Sequence, residues 1–265
     1  MEDLTFGTGG RPAGVPNVAR MESEPAAVDV RNLSKRYGGT LAVDDVSLRV
    51  ATGEIFGVLG TNGAGKTTTV EIIAGLRRPD SGHVRVLGLD PRRERAKVRQ
   101  VLGVQLQQAH LHHALTVAEL IDLYVSFYPN PRPARELLDL VGLTSQRTTR
   151  FEKLSGGQQQ RLSIALALAG RPRVAILDEL TTGLDPRARR KVWATVEQLR
   201  DENVTVLLVT HAMEEVERLC DRVALLDAGR IIALDTPAGL VARAGAANLD
   251  EAFVALSGKE LEESA

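Results

Sequence analysis

Gly60-Thr-Asn-Gly-Ala-Gly-Lys-Thr-Thr68 is the segment from which the fold class of this chain is predicted. It follows an apolar run over 55–59 and precedes a segment with the apolar spacing of a helix. Glycines let the backbone wrap closely round a phosphate, whose charge is attracted by the N–H groups at the start of a helix. The pattern GxxxxGK[ST] between a strand and a helix predicts a phosphate-binding loop. The alternative is a glycine-rich turn that contains an unrelated lysine.

Within this loop, Lys66 is predicted to reach the β- and γ-phosphates of a nucleotide, and the Thr67 hydroxyl to ligate Mg²⁺. The predicted nucleotide-binding residues are Gly60, Thr61, Asn62, Gly63, Ala64, Gly65, Lys66, Thr67 and Thr68.

Outward from the loop, buried-strand and helix patterns alternate along the chain. Continuous apolar runs, typical of strands buried on both faces, lie at 55–59, 174–177 and 204–209. Helical patterns lie between them, at 66–76, 186–200 and 212–219. This alternation predicts an α/β fold with a mostly parallel, helix-covered sheet.

Other segments depart from that pattern. Alternating residues at 28–30 and 46–50 predict half-exposed antiparallel strands near the N-terminus, and 225–233 predicts a hairpin that turns at Ala228-Gly229. The region from about 110 to 170 is rich in helical patterns without a clear strand, which indicates a helical insertion. Leu249, Phe253 and Leu256 have helical spacing and predict a short docked helix in the tail.

Two adjacent carboxylates, Asp178 and Glu179, end the apolar run at 174–177. Since neighbouring residues on a strand point to opposite sides, we expect them to have different roles. Asp178 is predicted to hold Mg²⁺, and Glu179 to polarise an attacking water. The alternative is a solvated acidic loop.

Composition limits the other classes of function. The chain has 33 basic and 34 acidic residues, which gives no support to a broad nucleic-acid surface, and we expect no nucleic-acid partner. Its apolar runs are shorter than the roughly 20 residues that span a bilayer, and no signal peptide is visible. We therefore expect a soluble protein whose link to a membrane comes through a partner. The single cysteine, Cys220, is expected to be a small buried apolar residue.

A second anion-binding helix start is predicted at Leu154-Ser-Gly-Gly-Gln158, which precedes a long apolar helix. Ser155 can cap that helix, while the glycines leave its first N–H groups open. With this motif, the chain over about 28–235 resembles the ATP-binding subunits of ABC transporters, whose signature motif is LSGGQ. The signature residues are Leu154, Ser155, Gly156, Gly157 and Gln158.

The resemblance implies roles for four further residues. Tyr37 lies where an aromatic ring stacks on adenine, and Asp185 lies at the D-loop. Gln107 lies at the Q-loop, where it would ligate Mg²⁺ and help to place the phosphate, with Gln105 as a nearby alternative. His211 lies at the switch histidine that senses the γ-phosphate. Packing is the alternative role for Tyr37.

The resemblance also implies an architecture: a RecA-like P-loop NTPase core of mostly parallel sheet, with an N-terminal antiparallel β subdomain and a helical signature subdomain. We expect a flexible leader over 1–25, an ATPase domain over 26–235 with the helical subdomain at about 108–170, and a short helical tail over 236–265. One departure is Leu180, since the family usually has proline after the catalytic glutamate. Together with 104–107 and the tail at 249–258, it makes the chain most similar to ATPases of the daunorubicin-efflux type.

The function implied is ATP hydrolysis, with Mg²⁺, by a head-to-tail homodimer or a heterodimer with a sister ATPase. In such a dimer, the signature of one chain covers the γ-phosphate bound by the other. The dimer would energise a separate membrane permease from the cytoplasmic face and export a drug or another hydrophobic small molecule. Two alternatives are a non-transport ABC ATPase that acts on ribosomes or DNA, and an ABC pair used for sensing or force transmission.

Overall fold

The computed structural model describes residues 26–106 and 111–258. The strands are β1 Ala26–Tyr37, β2 Thr40–Ala51, β3 Ile55–Leu59, β4 Ser81–Val86, β5 Leu102–Gln105, β6 Val174–Asp178, β7 Thr205–Thr210, β8 Arg222–Asp227 and β9 Arg230–Asp235. The α-helices are α1 Lys66–Ile73, α2 Arg95–Val101, α3 Val117–Val125, α4 Ala134–Leu140, α5 Gly156–Ala167, α6 Pro186–Asp201, α7 Met213–Leu219, α8 Pro237–Ala244 and α9 Leu249–Ser257.

The strands of the described residues form two sheets. A six-stranded sheet has the order β5-β6-β7-β3-β8-β9, in which the pairs β5–β6, β6–β7, β7–β3 and β3–β8 are parallel and β8–β9 is antiparallel. An antiparallel three-stranded sheet has the order β2-β1-β4. The predicted α/β class, with a mostly parallel core and an antiparallel β subdomain, is confirmed.

The central strands are buried on both faces, as their continuous apolar sequences predict. Alternate residues of β3 belong to two cores: Phe56 and Val58 pack with the antiparallel sheet and α1, and Ile55 and Leu59 pack with the helical side. One sheet therefore supports both layers, so that the loops at its carboxyl edge rest on a rigid base.

The antiparallel strands β1 and β2 are longer than the alternation at 28–30 and 46–50 predicts. Their register shifts at several points, and Asn32 and Asp45 have positive φ, so the side-chain alternation is interrupted. Because the two-residue period of apolar positions is interrupted, it predicts only part of each strand.

Strand β5 was also not predicted, because its four residues include Gly103. A Cβ at this position would lie 2.1 Å from the carbonyl oxygen of Ala167, at the end of α5. Glycine here permits the close approach of helix and strand. Because glycine adds no apolar side chain, the sequence pattern of this short strand is too weak to predict it.

Helices cover most of the stretch from α3 to α5, where the sequence predicts an insertion. Helix α3 begins with a capping box of Thr116 and Glu119. After β9, α8 and α9 pack against the helical side of the core, with Leu249 and Phe253 fully buried. Within the two described ranges, no helix is both long enough and apolar enough to cross a membrane.

Two buried features connect the layers. The Arg222 guanidinium on β8 donates to Glu54 Oε1 at 2.7 Å and to the Arg49 carbonyl on β2 at 2.7 Å, and both charged partners are only 3% exposed. Cys220 lies between α7 and β8 in the chain and packs against Gly57 of β3. A Cβ added to Gly57 would lie 3.0 Å from the Cys220 Sγ. Burial raises the pKa of this thiol far above its ordinary value, in agreement with the predicted buried apolar role.

Candidate functional site

The predicted phosphate-binding loop connects β3 to α1. The Lys66 side chain is 5% exposed, and its Nζ donates to the carbonyl oxygens of Gly60 at 2.8 Å and Thr61 at 3.0 Å. Burial lowers the pKa of this ammonium, while the charges of Glu179 and Asp178 act to raise it. The lysine is therefore held inside the loop, within the field of both carboxylates.

Two glycines allow the loop to approach its neighbours. A Cβ on Gly65, which has a φ of 95°, would lie 2.3 Å from the carbonyl oxygen of Ala42 on β2. A Cβ on Gly60 would lie 2.3 Å from the carbonyl oxygen of Leu226 on β8. Since both contacts are with backbone atoms, no larger residue fits at either position without a shift of the main chain. Of the other loop residues, Asn62, Gly63 and Thr67 are exposed, Thr61 and Thr68 are half-buried, and Ala64 is buried.

The carboxyl ends of three parallel strands bring the predicted groups together. Leu59 is paired with Thr210, and Asp178 is paired with Val209. The residues that follow these strand ends include the phosphate-binding loop, Glu179 and His211. This edge of an open α/β sheet is where such folds bind their ligands.

Glu179 adopts a left-handed backbone conformation, with a φ of 48°. Strand β6 ends at Asp178, and the Glu179 N–H donates to the Val209 carbonyl at 2.8 Å. Strand alternation, the predicted reason for separate roles of Asp178 and Glu179, is therefore wrong, because Glu179 lies beyond the end of the strand. The left-handed conformation costs a non-glycine residue about 1–2 kcal/mol, so the surrounding contacts must hold it in place.

The structure brings Glu179 and His211 together, with His211 Nδ1 at 3.5 Å from Glu179 Oε1. The Glu179 side chain is 10% exposed and that of His211 is 28% exposed, so both remain accessible at the edge of the sheet. A carboxylate that faces an imidazole can accept a proton from water or exchange one with the ring. The pair thus has the chemistry required to activate water.

The donors for the predicted Mg²⁺ are few but suitable. Asp178 is 1% exposed, and its charge acts on the neighbouring Lys66, while the Thr67 hydroxyl follows Lys66 in the chain. Among the described residues, no group of three or more His, Cys, Asp and Glu side chains could hold a metal. One carboxylate and one hydroxyl nevertheless fit Mg²⁺, which keeps several waters and takes phosphate oxygens as further ligands.

The signature residues lie at the start of α5, where Ser155 forms the predicted cap. The Ser155 hydroxyl accepts from the Gln158 N–H at 3.4 Å, and Gln158 Oε1 accepts from the Ser155 N–H at 2.9 Å. Leu154 is buried in the core, whereas Ser155 and Gly156 are exposed. A Cβ on Gly157 would lie 2.8 Å from Cβ of Ala188, so this glycine permits close packing on α6.

Asp185 caps the neighbouring helix α6. Its Oδ1 accepts from the N–H groups of Arg187 at 2.8 Å and Ala188 at 2.9 Å, and the bond from Ala188 contributes most to a lowered pKa of this carboxyl. Asp185 and the signature residues Ser155 and Gln158 line one open surface depression. The predicted D-loop and signature positions thus share one surface of the chain.

Tyr37 ends β1 with its ring 40% exposed. Arg77 lies over this ring at 5.3 Å from its centroid, and Lys35 Nζ lies at 5.5 Å. Neither cation was predicted, because Arg77 is brought to the ring by packing and no motif marks Lys35, which lies two residues before Tyr37 on the same strand. An exposed aromatic ring with cations beside it suits a base and its phosphates.

Gln107 falls outside the described residues, so its predicted role stays a prediction. The alternative glutamine, Gln105, is 3% exposed, and both ends of its amide are bonded within the protein. Its bond to the Asp178 main chain is a structural connection that the sequence analysis did not identify.

Known proteins match both the sequence and the geometry. The ABC transporter family matches residues 43–182. The chain belongs to this family. The Nod factor export ATP-binding protein I of Rhizobium johnstonii is 41% identical over 222 residues, covering 82% of this chain and 71% of that protein. A daunorubicin resistance ATP-binding protein of Streptomyces coeruleorubidus is 42% identical over 229 residues, covering 84% and 72%.

Solved structures agree. The ATP-binding subunit of an ABC transporter matches with a TM-score of 0.79 and 28% identity, covering 87% of this chain and 99% of that chain. A dimeric ATP-binding cassette in a post-hydrolysis state, bound to ADP and Pi, matches with a TM-score of 0.72 and 28% identity, covering 79% and 98%. This chain is therefore the ATP-binding, ATP-hydrolysing subunit of an ABC transporter. The predicted family is confirmed, and drug-resistance ATPases are among its relatives.

Proposed function

We propose that this ABC ATPase works as a head-to-tail dimer that drives export of a drug or another hydrophobic small molecule through a separate permease. The observation that carries the hydrolytic part of this proposal is the Glu179–His211 pair at 3.5 Å, with the buried Lys66 in the field of Glu179. It supplies the group that activates water next to the loop that binds phosphate. The names of the relatives, which refer to Nod factor export and daunorubicin resistance, favour export.

In the proposed reaction, Lys66 binds the β- and γ-phosphates of ATP, and Tyr37 stacks on the adenine. Glu179 orients the attacking water and accepts its proton, while His211 contacts the γ-phosphate and keeps the carboxylate directed at the water. Asp178, Thr67 and Gln107 would hold Mg²⁺, whose charge neutralises that of the phosphates when it is bound.

The second half of each site comes from the partner chain in this proposal. Gly156 is exposed at the start of α5, and a Cβ there would be 3.9 Å from Leu184, its nearest neighbour. An anion can therefore reach this helix start from outside the chain. Asp185 lies beside it and would contact the partner as the two chains close.

The permease is proposed to dock on the helical segment. Helix α3 and the turn that follows it expose two large apolar side chains, Leu123 at 41% and Phe127 at 63%. An exposed pair of this kind suits a short apolar segment of a membrane protein. The dimer would then lie on the cytoplasmic face of the membrane.

A co-purification experiment from native membranes in mild detergent tests this proposal. We expect a protein with several membrane spans to accompany the tagged wild-type chain, and Phe127→Asp to lose it. Val254→Asp changes another exposed apolar residue, 39% exposed on α9, and should retain the partner. Recovery of ribosomal or chromosomal proteins in place of a membrane protein would contradict the proposal.

A further inference from the structure

A buried carboxylate lies behind the two residues proposed to carry the chemistry. Glu215 on α7 is 1% exposed and accepts three hydrogen bonds. Its Oε1 accepts from Thr181 Oγ1 at 2.6 Å and from Trp193 Nε1 at 3.2 Å, and its Oε2 accepts from Thr210 Oγ1 at 2.5 Å. All three donors are neutral, so the carboxylate is held by hydrogen bonds to hydroxyl and indole groups.

Two of these donors flank the residues of the site, and the third, Trp193, lies on α6. Thr181 is two residues after Glu179, and Thr210 immediately precedes His211. The Thr210 hydroxyl also accepts from the Ala212 N–H at 3.0 Å, so the residues before and after His211 are bonded to each other. The two oxygens of Glu215 thus join the loop that carries Glu179 to the loop that carries His211.

The loop after β6 requires such an anchor. Glu179 has a left-handed conformation that costs free energy, and Leu180, which follows it, has no ring to fix its φ. Leu180 is fully buried, and Thr181 is 5% exposed and bonded to Glu215. The bond at Thr181 therefore fixes the end of the strained turn.

An ionised carboxylate suits this position better than other side chains. Its two oxygens accept only, which matches three donors, and a hydrogen bond to a charged acceptor is stronger than one between neutral groups. Burial of a carboxylate is unfavourable by itself. An apolar residue would fill the same space at less cost but could not hold either threonine.

We propose that Glu215 is a positioning residue that fixes the Glu179 carboxylate against His211. This inference rests on the proposed roles of those two residues. Glu215 is expected to affect the chemical step and not ATP binding. Its hydrogen bonds are with residues behind the Glu179–His211 pair and not with the phosphate-binding loop.

The test is a double-mutant cycle in the full-length chain with steady-state ATPase kinetics. Glu215→Gln keeps the size of the side chain but turns one acceptor into a donor that faces a hydroxyl. Since small displacements of reacting groups cost up to about a hundredfold in rate, we expect kcat to fall about ten- to hundredfold, with KM for Mg-ATP within about twofold. In a His211→Ala background the same change should cost less than about threefold, because the pair it positions is already broken.

Thr195→Val is the matched control. Thr195 is a buried threonine on α6 whose hydroxyl bonds the Lys191 carbonyl in its own helix, and kcat should stay within about twofold of wild type. If Glu215→Gln does not fold, Thr181→Val enters the same cycle in its place, since it removes one of the three bonds.

Equal losses of kcat in the wild-type and His211→Ala backgrounds would overturn the inference, and so would an unchanged kcat. Failure of the proposed function has a different signature: the single variants Glu179→Gln and His211→Ala would themselves retain wild-type turnover.

Discussion

The side-chain Oε1 of Gln105 accepts a hydrogen bond from the backbone N–H of Asp178 at 3.0 Å. Its Nε2 donates to the Leu106 carbonyl at 2.9 Å, so one buried amide joins the ends of β5 and β6. The main chain of the proposed Mg²⁺ ligand is therefore fixed by the segment that leads to Gln107.

Gln105→Met removes this acceptor without much change of shape. A buried N–H left without its partner costs about 1–3 kcal/mol, so we expect a loss of stability of that size and a higher Mg²⁺ requirement for ATP turnover. Urea unfolding and Mg²⁺ titration of the ATPase rate measure the two effects. Gln198→Met, at an exposed position on α6, serves as the control. A variant as stable as the wild type would show that the bond contributes nothing.

Lys66→Ala should abolish turnover and most of the affinity for ATP. The substitution removes a buried ammonium that is aimed into the loop, and charged hydrogen bonds to phosphate are strong. Steady-state ATPase assays and titration with a fluorescent ATP analogue provide the measurements. Lys97→Ala, which removes an exposed lysine of α2, should behave as wild type. Near-normal hydrolysis by Lys66→Ala would refute the assignment of the loop.

Gly156→Asp should leave ATP binding by the single chain intact while turnover collapses. There is room for the new side chain within the chain, because the nearest atom to a Cβ is 3.9 Å away. Its charge would meet the γ-phosphate of the partner in the proposed dimer. Ser155→Arg should act in the same way.

Mixing Gly156→Asp with Lys66→Ala tests the head-to-tail arrangement. In a mixed dimer both lesions fall on one composite site and the other site stays whole, so activity should partly return. Turnover that remains first-order in protein at every concentration, with no rescue on mixing, would rule out the composite site.

Glu179→Gln should separate binding from hydrolysis. The amide retains the size of the side chain but loses the charge that polarises water, so the rate should fall by about a hundredfold or more. Loss of repulsion between the carboxylate and the γ-phosphate should also stabilise a closed dimer with ATP. Size-exclusion chromatography with Mg-ATP and with Mg-ADP measures this, and a dimer is expected for the variant with Mg-ATP. If the variant stays monomeric and hydrolyses ATP normally, the base lies elsewhere.

Arg222→Met should destabilise the fold by about 3–5 kcal/mol, because it leaves the buried Glu54 charge without its partner. The double variant with Glu54→Gln should recover part of this loss. Arg218→Ala breaks an exposed ion pair with Glu197 and should cost at most about 1 kcal/mol. Urea denaturation compares the three. Equal losses for Arg222→Met and Arg218→Ala would mean that the buried pair contributes no more to stability than an exposed one.

Local patterns predict most of the core of this protein. The loop at 60–68, the continuous apolar strands and the hairpin at Ala228-Gly229 each depend on residues close together in the sequence, and the structure has the corresponding elements. The pairing of Glu179 with His211 has a different origin, since it depends on the neighbouring positions of β6 and β7 in the sheet. Their contact follows only once the strand order is known.

The features that were not predicted depend on packing. Strand β5 is short and contains a glycine that the end of α5 requires. The left-handed turn at Glu179 carries no signal, because glutamate is an unusual residue for that conformation. The Glu215 network has donors from three separate elements, none of which is marked by a motif.

The buried thiol at Cys220 has a practical consequence. It is the only cysteine of the chain, and at neutral pH it lacks the thiolate character that reacts with maleimides and similar reagents. A cysteine introduced on an exposed surface would therefore be the single reactive thiol of the folded protein. A fluorophore could be attached there without first removing the native residue, which makes the chain directly suited to distance measurements between labelled subunits during turnover.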